Sequence, residues 1–153
     1  MNDVKKIPFL AGFFASGFYS GYFPLFPGTV GSALAFIVFL VFNLHNSFFF
    51  LPLIIIVFIL GTISSSIVEK ILGNDPSMVV IDEIVGMWVS LVFLPNNLYI
   101  WLAAFVIFRI FDIIKPFPCK QLEKINSGLG IMLDDVMAGI YTNLLLQLTV
   151  FIF

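Results

Sequence analysis

Residues 49–72 read FFLPLIIIVFILGTISSSIVEKIL, and this stretch decides the fold. Its only charges, Glu69 and Lys70, stand at the C-terminal end. As an α-helix at 1.5 Å per residue it is about 36 Å long. The hydrocarbon core of a bilayer is about 30 Å thick, so the segment is long enough to cross it. Pro52 falls near its start, where a missing N–H is tolerated. The surrounding chain has the same character. Of 153 residues, 61% are apolar and 10% charged, and the mean hydropathy is +1.13. A soluble domain has about 45–50% apolar and about 25% charged residues. This chain does not carry enough polar surface to cover itself in water.

Working outward, four more apolar segments follow the same logic. Residues 31–44 form a short span unless it begins at the Pro27 turn. Residues 78–94 stop at Pro95, residues 98–114 stop before Pro116, and residues 130–153 reach the C-terminus. Residues 7–26 differ, being aromatic and broken by Gly12, Gly17, Gly21 and Pro24. They are expected to form a re-entrant or interfacial segment, since such backbone survives at membrane depth only inside protein or along a wet cavity. Lys5 and Lys6 before this run imitate a signal peptide. The run lacks a clean small-x-small site and leads into further hydrophobic segments, so it is read as retained. The expectation is therefore all-α: a polytopic transmembrane helix bundle forming a single integral membrane domain over residues 1–153.

Basic residues orient this bundle. Lys5 and Lys6, then Lys70, then Lys115, Lys120 and Lys124 fall in alternate connections, whereas residues 43–47 and 95–97 carry no Lys or Arg. The positive-inside rule places the basic connections in the cytoplasm. The polar-apolar stretch PCKQLEKIN, residues 118–126, then lies at the cytoplasmic surface.

Charges within apolar segments are costly and need a reason. Asp82 and Glu83 lie early in the third span, Asp134 and Asp135 early in the last, and Arg109, Asp112 and Lys115 near the end of the fourth. All come out near the cytoplasmic boundary. Adjacent carboxylates on a helix point about 100° apart. One of each pair is thus expected to face the bundle centre and the other a wet edge or a partner. Several carboxylates in one pocket call for a cation, and hard oxygen donors suit Mg²⁺ before Zn²⁺. The bland alternative is an ion-paired structural cluster built on Arg109 and Lys115.

The turn Pro27-Gly28-Thr29-Val30-Gly31-Ser32 precedes an apolar helix. Its glycines allow close backbone approach, Thr29 or Ser32 can cap the helix, and a helix N-terminus attracts anions. A Pro-Gly turn with an N-cap does the same structural job without a ligand. Residues 73–76, GNDP, read as a helix stop and a turn, with Asp75 a further acidic candidate. Gly86 and Gly139, about one turn after the carboxylates, suit close helix packing.

Several functions are excluded. A net charge of −2 gives no electrostatic footprint for nucleic acid, Cys119 alone forms no internal disulfide, and His45 is the only histidine. A two-histidine lipid phosphatase site cannot be built. A cysteine-phosphatase loop needs an arginine six residues after the cysteine, where Ile125 stands, and no Asp-x-Asp nucleophile pair occurs.

Four stretches together, FPGTVGS (26–32), VIDEIVGMW (80–88), FRIFDIIKPFP (108–118) and GLGIMLDDVMAG (128–139), resemble the phosphatidylglycerophosphatase A family in order and across nearly the whole chain. The resemblance implies a Mg²⁺-dependent, multi-pass lipid phosphatase of the bacterial inner membrane with its active site facing the cytoplasm. Its substrate would be phosphatidylglycerophosphate, released as phosphatidylglycerol and inorganic phosphate. On this reading Asp82, Glu83, Asp134 and Asp135 hold one or two Mg²⁺, and Asp112 is a further ligand or the general base. Arg109 and Lys115 clamp phosphate oxygens, and Gly28, Thr29, Gly31 and Ser32 supply backbone donors. Attack by water or through an aspartyl-phosphate stays open, as do the division of labour among the carboxylates and the oligomeric state. The rival classes are a small transporter or channel subunit, which expects charges near mid-membrane, a scaffold without chemistry, and another lipid head-group enzyme.

Overall fold

A computed structural model describes residues 6–46, 48–74, 76–125 and 127–152, excluding the side chain of Asn46. Lys5, an orienting charge, and Asp75, a candidate for the site, lie outside the described residues. Among those described there are seven α-helices and no strand. They are α1 (Phe9–Ala15), α2 (Pro27–Val41), α3 (Phe50–Leu72), α4 (Ile81–Leu91), α5 (Leu98–Ile114), α6 (Cys119–Leu122) and α7 (Gly128–Ile152).

The helix α2 starts at Pro27, where proline's missing N–H would be unpaired anyway. Thr29 and Ser32 therefore lie inside the helix and cap nothing; Ser32 Oγ instead donates to Gly28 O at 2.9 Å. Residues 7–26 form no continuous helix. The seven-residue α1 ends at Ser16, the chain turns through positive φ at Gly17, Phe18 and Tyr19, and a 3-10 turn follows at Ser20–Tyr22.

Two helices, α3 and α7, are long and apolar enough to cross a membrane. Only 28% of the most apolar window of each is buried, so these helices turn apolar side chains such as Ile55, Ile59 and Leu148 outward. A core helix of a water-soluble protein would bury most of such a window.

The helix α4 is the centre of the molecule, packed by α2, α3, α5 and most extensively by α7. It is shorter than the 78–94 span expected from hydropathy: 11 residues, leaving helical geometry at Val92. Nearly all of it is buried, so its apolarity reflects a protein core as much as a lipid contact. Its end is capped from outside, because Asn143 Nδ2 donates to the carbonyls of Ser90 at 3.0 Å and Val92 at 2.6 Å. These acceptors would otherwise be orphaned at the helix end.

Helices α4 and α7 run parallel in a fixed register. Ser90 meets Asn143, and a side chain at Gly139 would strike Gly86 O. One turn earlier, the carboxylates of Asp82 and Asp135 come together. Each pair is separated by the same 53 residues. A Cβ at Gly86 would lie 2.7 Å from both Asp135 O and the Phe108 ring, so both glycines are needed for this approach. Gly139→Leu should destabilise the protein by about 1–3 kcal/mol through overpacking, read as a lowered thermal unfolding midpoint in detergent. An unchanged midpoint would refute the close crossing.

Candidate active site

The α4–α7 crossing places the acidic residues. Asp82 and Glu83 occupy the first turn of α4, where the helix dipole favours negative charge. Asp134 and Asp135 lie two turns into α7. Asp82, Asp134 and Asp135 are buried, at 7%, 4% and 2% exposure. One oxygen from each of Asp82, Glu83 and Asp135 falls within 4.8 Å of the others. Both carboxylates of α4 thus enter one cluster rather than facing apart. Glu83 gains the needed reach from its extra methylene, and Gly28 leaves room for it, since a Cβ there would collide with Glu83 Oε1.

The cluster lines a pocket of about 260 Å³ that also takes in Pro27, Gly28, Ser77, Val79, Asp112, Lys115, Glu123, Ile131 and Asp134. Six carboxylates therefore share the pocket with Lys115. Arg109 lies alongside. Its Nη1 pairs with Asp112 Oδ2 and donates to Ser32 Oγ at 3.3 Å. Lys115 Nζ lies 2.7 Å from Asp134 Oδ2 and 3.0 Å from Glu123 Oε1. Burial opposes the charge of Lys115, but its bonds to Asp134 and Glu123 outweigh this and hold its pKa above the ordinary lysine range.

Even with these partners the pocket is not satisfied. Asp82 Oδ1, Glu83 Oε2, Asp134 Oδ1, Asp135 Oδ2 and Arg109 Nε are buried without a hydrogen-bond partner. Buried polar atoms are normally paired, and converging unpaired carboxylate oxygens are a donor set for a hard divalent cation. The residues present fit such an ion.

The residues singled out in the sequence are not placed alike. Asp82, Glu83, Asp112, Asp134, Asp135, Lys115 and Gly28 line the pocket. Ser32 and Arg109 stand behind it, joined to each other. Gly31 packs against Val80, where a Cβ would lie 2.9 Å from Val80 Cβ. Thr29 is half-buried in the first turn of α2 and does not line the pocket. Sequence reasoning missed Glu123. Its signal was an acidic residue in the polar connection that carries Lys120 and Lys124.

The family model described as Phosphatidylglycerophosphatase A matches residues 13–150. The chain is 37% identical over 156 residues to a Bacteroides thetaiotaomicron protein named "Putative phosphatidylinositol-3-phosphatase", covering 94% of this chain and 95% of that one. It is 39% identical over 134 residues to phosphatidylglycerophosphatase A of Escherichia coli, covering 82% and 75% of the two chains. It is 39% identical over 146 residues to the Haemophilus influenzae protein of the same name, covering 92% and 90%. No solved structure matches the chain.

Gly28→Ala should push Glu83 out of the cluster. If Glu83 serves the reaction, a misplacement of about 1 Å can cost about a hundredfold in rate. A phosphate-release rate down at least tenfold by that reasoning, with an unchanged far-ultraviolet circular dichroism spectrum, is expected. Full activity would show that Glu83 needs no such clearance.

Proposed function

Because the chain belongs to the phosphatidylglycerophosphatase A family, we propose that it removes the terminal phosphate of phosphatidylglycerophosphate at the α4–α7 acidic pocket. Family membership makes it a phosphatase. The observation that carries the site assignment is the convergence of oxygens from Asp82, Glu83 and Asp135 within 4.8 Å of one another, with one buried oxygen of each carboxylate left without a hydrogen-bond partner.

The lipid setting is supported by the outward apolar faces of α3 and α7. We read the chain as a multi-pass protein of the bacterial inner membrane, with α2 to α5 and α7 crossing or partly crossing it and residues 7–26 held at the boundary. Lys6, Lys70, Lys115, Lys120 and Lys124 then share the cytoplasmic side with the pocket. This suits a substrate whose tails stay in lipid and whose phosphate stays in water.

Asp82, Glu83 and Asp135 would hold Mg²⁺, with the free Oδ1 of Asp134 as a further ligand. When bound, the ion supplies charge neutralisation for the phosphate and makes a water more acidic. The chain's own groups do the rest. Lys115 meets phosphate oxygens at the pocket wall. Arg109 fixes Asp112 through their ion pair and adds positive charge beside Gly28. Asp112, so oriented, accepts the proton of a water attacking phosphorus, while the bond from phosphorus to the glycerol oxygen breaks and that oxygen takes a proton from solvent water, Asp112 later returning its own proton to solvent. Positioning and electrostatics dominate such a transfer.

A second substrate is favoured by one finding. The relative covering 94% of the chain carries the name of a phosphatidylinositol-3-phosphatase, and the pocket would serve any phosphate monoester on a lipid head group.

Purified protein in detergent should release phosphate from phosphatidylglycerophosphate with Mg²⁺ and stop when the ion is chelated. Asp82→Asn, Glu83→Gln, Asp134→Asn and Asp135→Asn should each lower turnover by about 10²-fold or more, as loss of charge-stabilising groups does. Faster release from phosphatidylinositol 3-phosphate would reassign the substrate. No release from either lipid by folded protein would defeat the proposal. Trapping of labelled phosphate on the chain would replace direct water attack by an aspartyl-phosphate route.

A further inference from the structure

Lys115 is held by two carboxylates of unequal standing. Asp134 is 4% exposed at its side chain and Glu123 is 37% exposed. Asp134 sits within α7, and withdrawing it from Lys115 would strand a buried charge. Glu123 follows α6, with its backbone tied down and its side chain reaching Lys115 at 3.0 Å. Its N–H donates to Cys119 O at 3.0 Å, Cys119 itself is buried, and the Tyr141 hydroxyl donates to Phe117 O at 2.8 Å. At 37% exposure the Glu123 side chain borders solvent, so turning outward leaves no buried charge behind.

A lysine ammonium has three donors, of which these carboxylates engage two. A phosphate monoester approaching Lys115 would meet Glu123 as a like charge beside the cation that it needs. Ion pairs this exposed contribute little to stability, so exchanging one is easy. We propose that Glu123 is a latch on the phosphate subsite. Its carboxylate takes the place of a phosphate oxygen on Lys115 in the free protein and swings out when the substrate phosphate binds. The exchange breaks no covalent bond. Glu123 is a positioning residue that sets affinity for the phosphate group. This rests on the pocket being the phosphatase site.

Inorganic phosphate is the probe, with binding to the purified protein in micelles with Mg²⁺ followed by calorimetry beside lipid turnover. Glu123→Gln should bind phosphate about two- to fivefold tighter, the range set by a partly exposed ion pair. Its KM should fall by a similar factor and its single-turnover rate should be unchanged. Glu123→Asp keeps the charge but is one methylene shorter, and should share the gain; Lys115→Gln should weaken binding. If Glu123→Gln binds no tighter while the wild type binds and turns over, the latch is wrong and the phosphatase reading stands. A lower single-turnover rate would make Glu123 part of the catalytic machinery and overturn the latch. An Asp variant indistinguishable from wild type would reduce the effect to local field and overturn it too. If the wild type neither binds phosphate nor releases it from lipid, the phosphatase reading falls and the latch with it.

Discussion

The structure depends on the close parallel crossing of α4 and α7 at Gly86 and Gly139. A side chain at either glycine would strike the backbone of the other helix. Without that approach Asp82 and Asp135, one turn before the crossing on their respective helices, would not share a cluster. The same register lets Asn143 satisfy the carbonyls at the end of α4. One packing contact thereby fixes both the cap of the central helix and the geometry of its acidic end.

Electrostatics explains why the cluster lies where it does. Deep burial of several carboxylates is costly unless charge is balanced. Here the first turn of α4 offers its dipole to Asp82 and Glu83, Lys115 answers Asp134, and Arg109 answers Asp112. One oxygen each of Asp82, Glu83, Asp134 and Asp135 is still left without a partner. On the proposed function, a cation and a phosphate would complete one another there, which makes the imbalance useful rather than merely expensive.

Much of this was legible in the sequence because hydropathy reports burial and lipid contact through one signal. The apolar helices, the end of α5 before Pro116 and the acidic residues near the helix ends follow directly from it. That same signal overstated α4: burial in protein and burial in lipid look alike, so a short core helix read as a longer span. Helical phase alone also separated Asp82 from Glu83, whereas side-chain length and the clearance at Gly28 reunite them. Glu123 escaped notice because its importance comes from the fold of the connection after α5, which hydropathy does not encode. Thr29 and Ser32 looked like caps because the span was read from Gly31, with the Pro27 turn as the other possible start; with Pro27 as its first residue, their hydroxyls fall inside it.

The central claim is that α4 and α7 jointly build one cation site. Electron paramagnetic resonance of Mn²⁺, an ion suited to the same oxygen donors as Mg²⁺, tests it without reference to catalysis. The account predicts that purified protein binds Mn²⁺ and that Asp82→Asn on α4 and Asp135→Asn on α7 each abolish or sharply weaken that binding. Undiminished Mn²⁺ binding in both variants would contradict it.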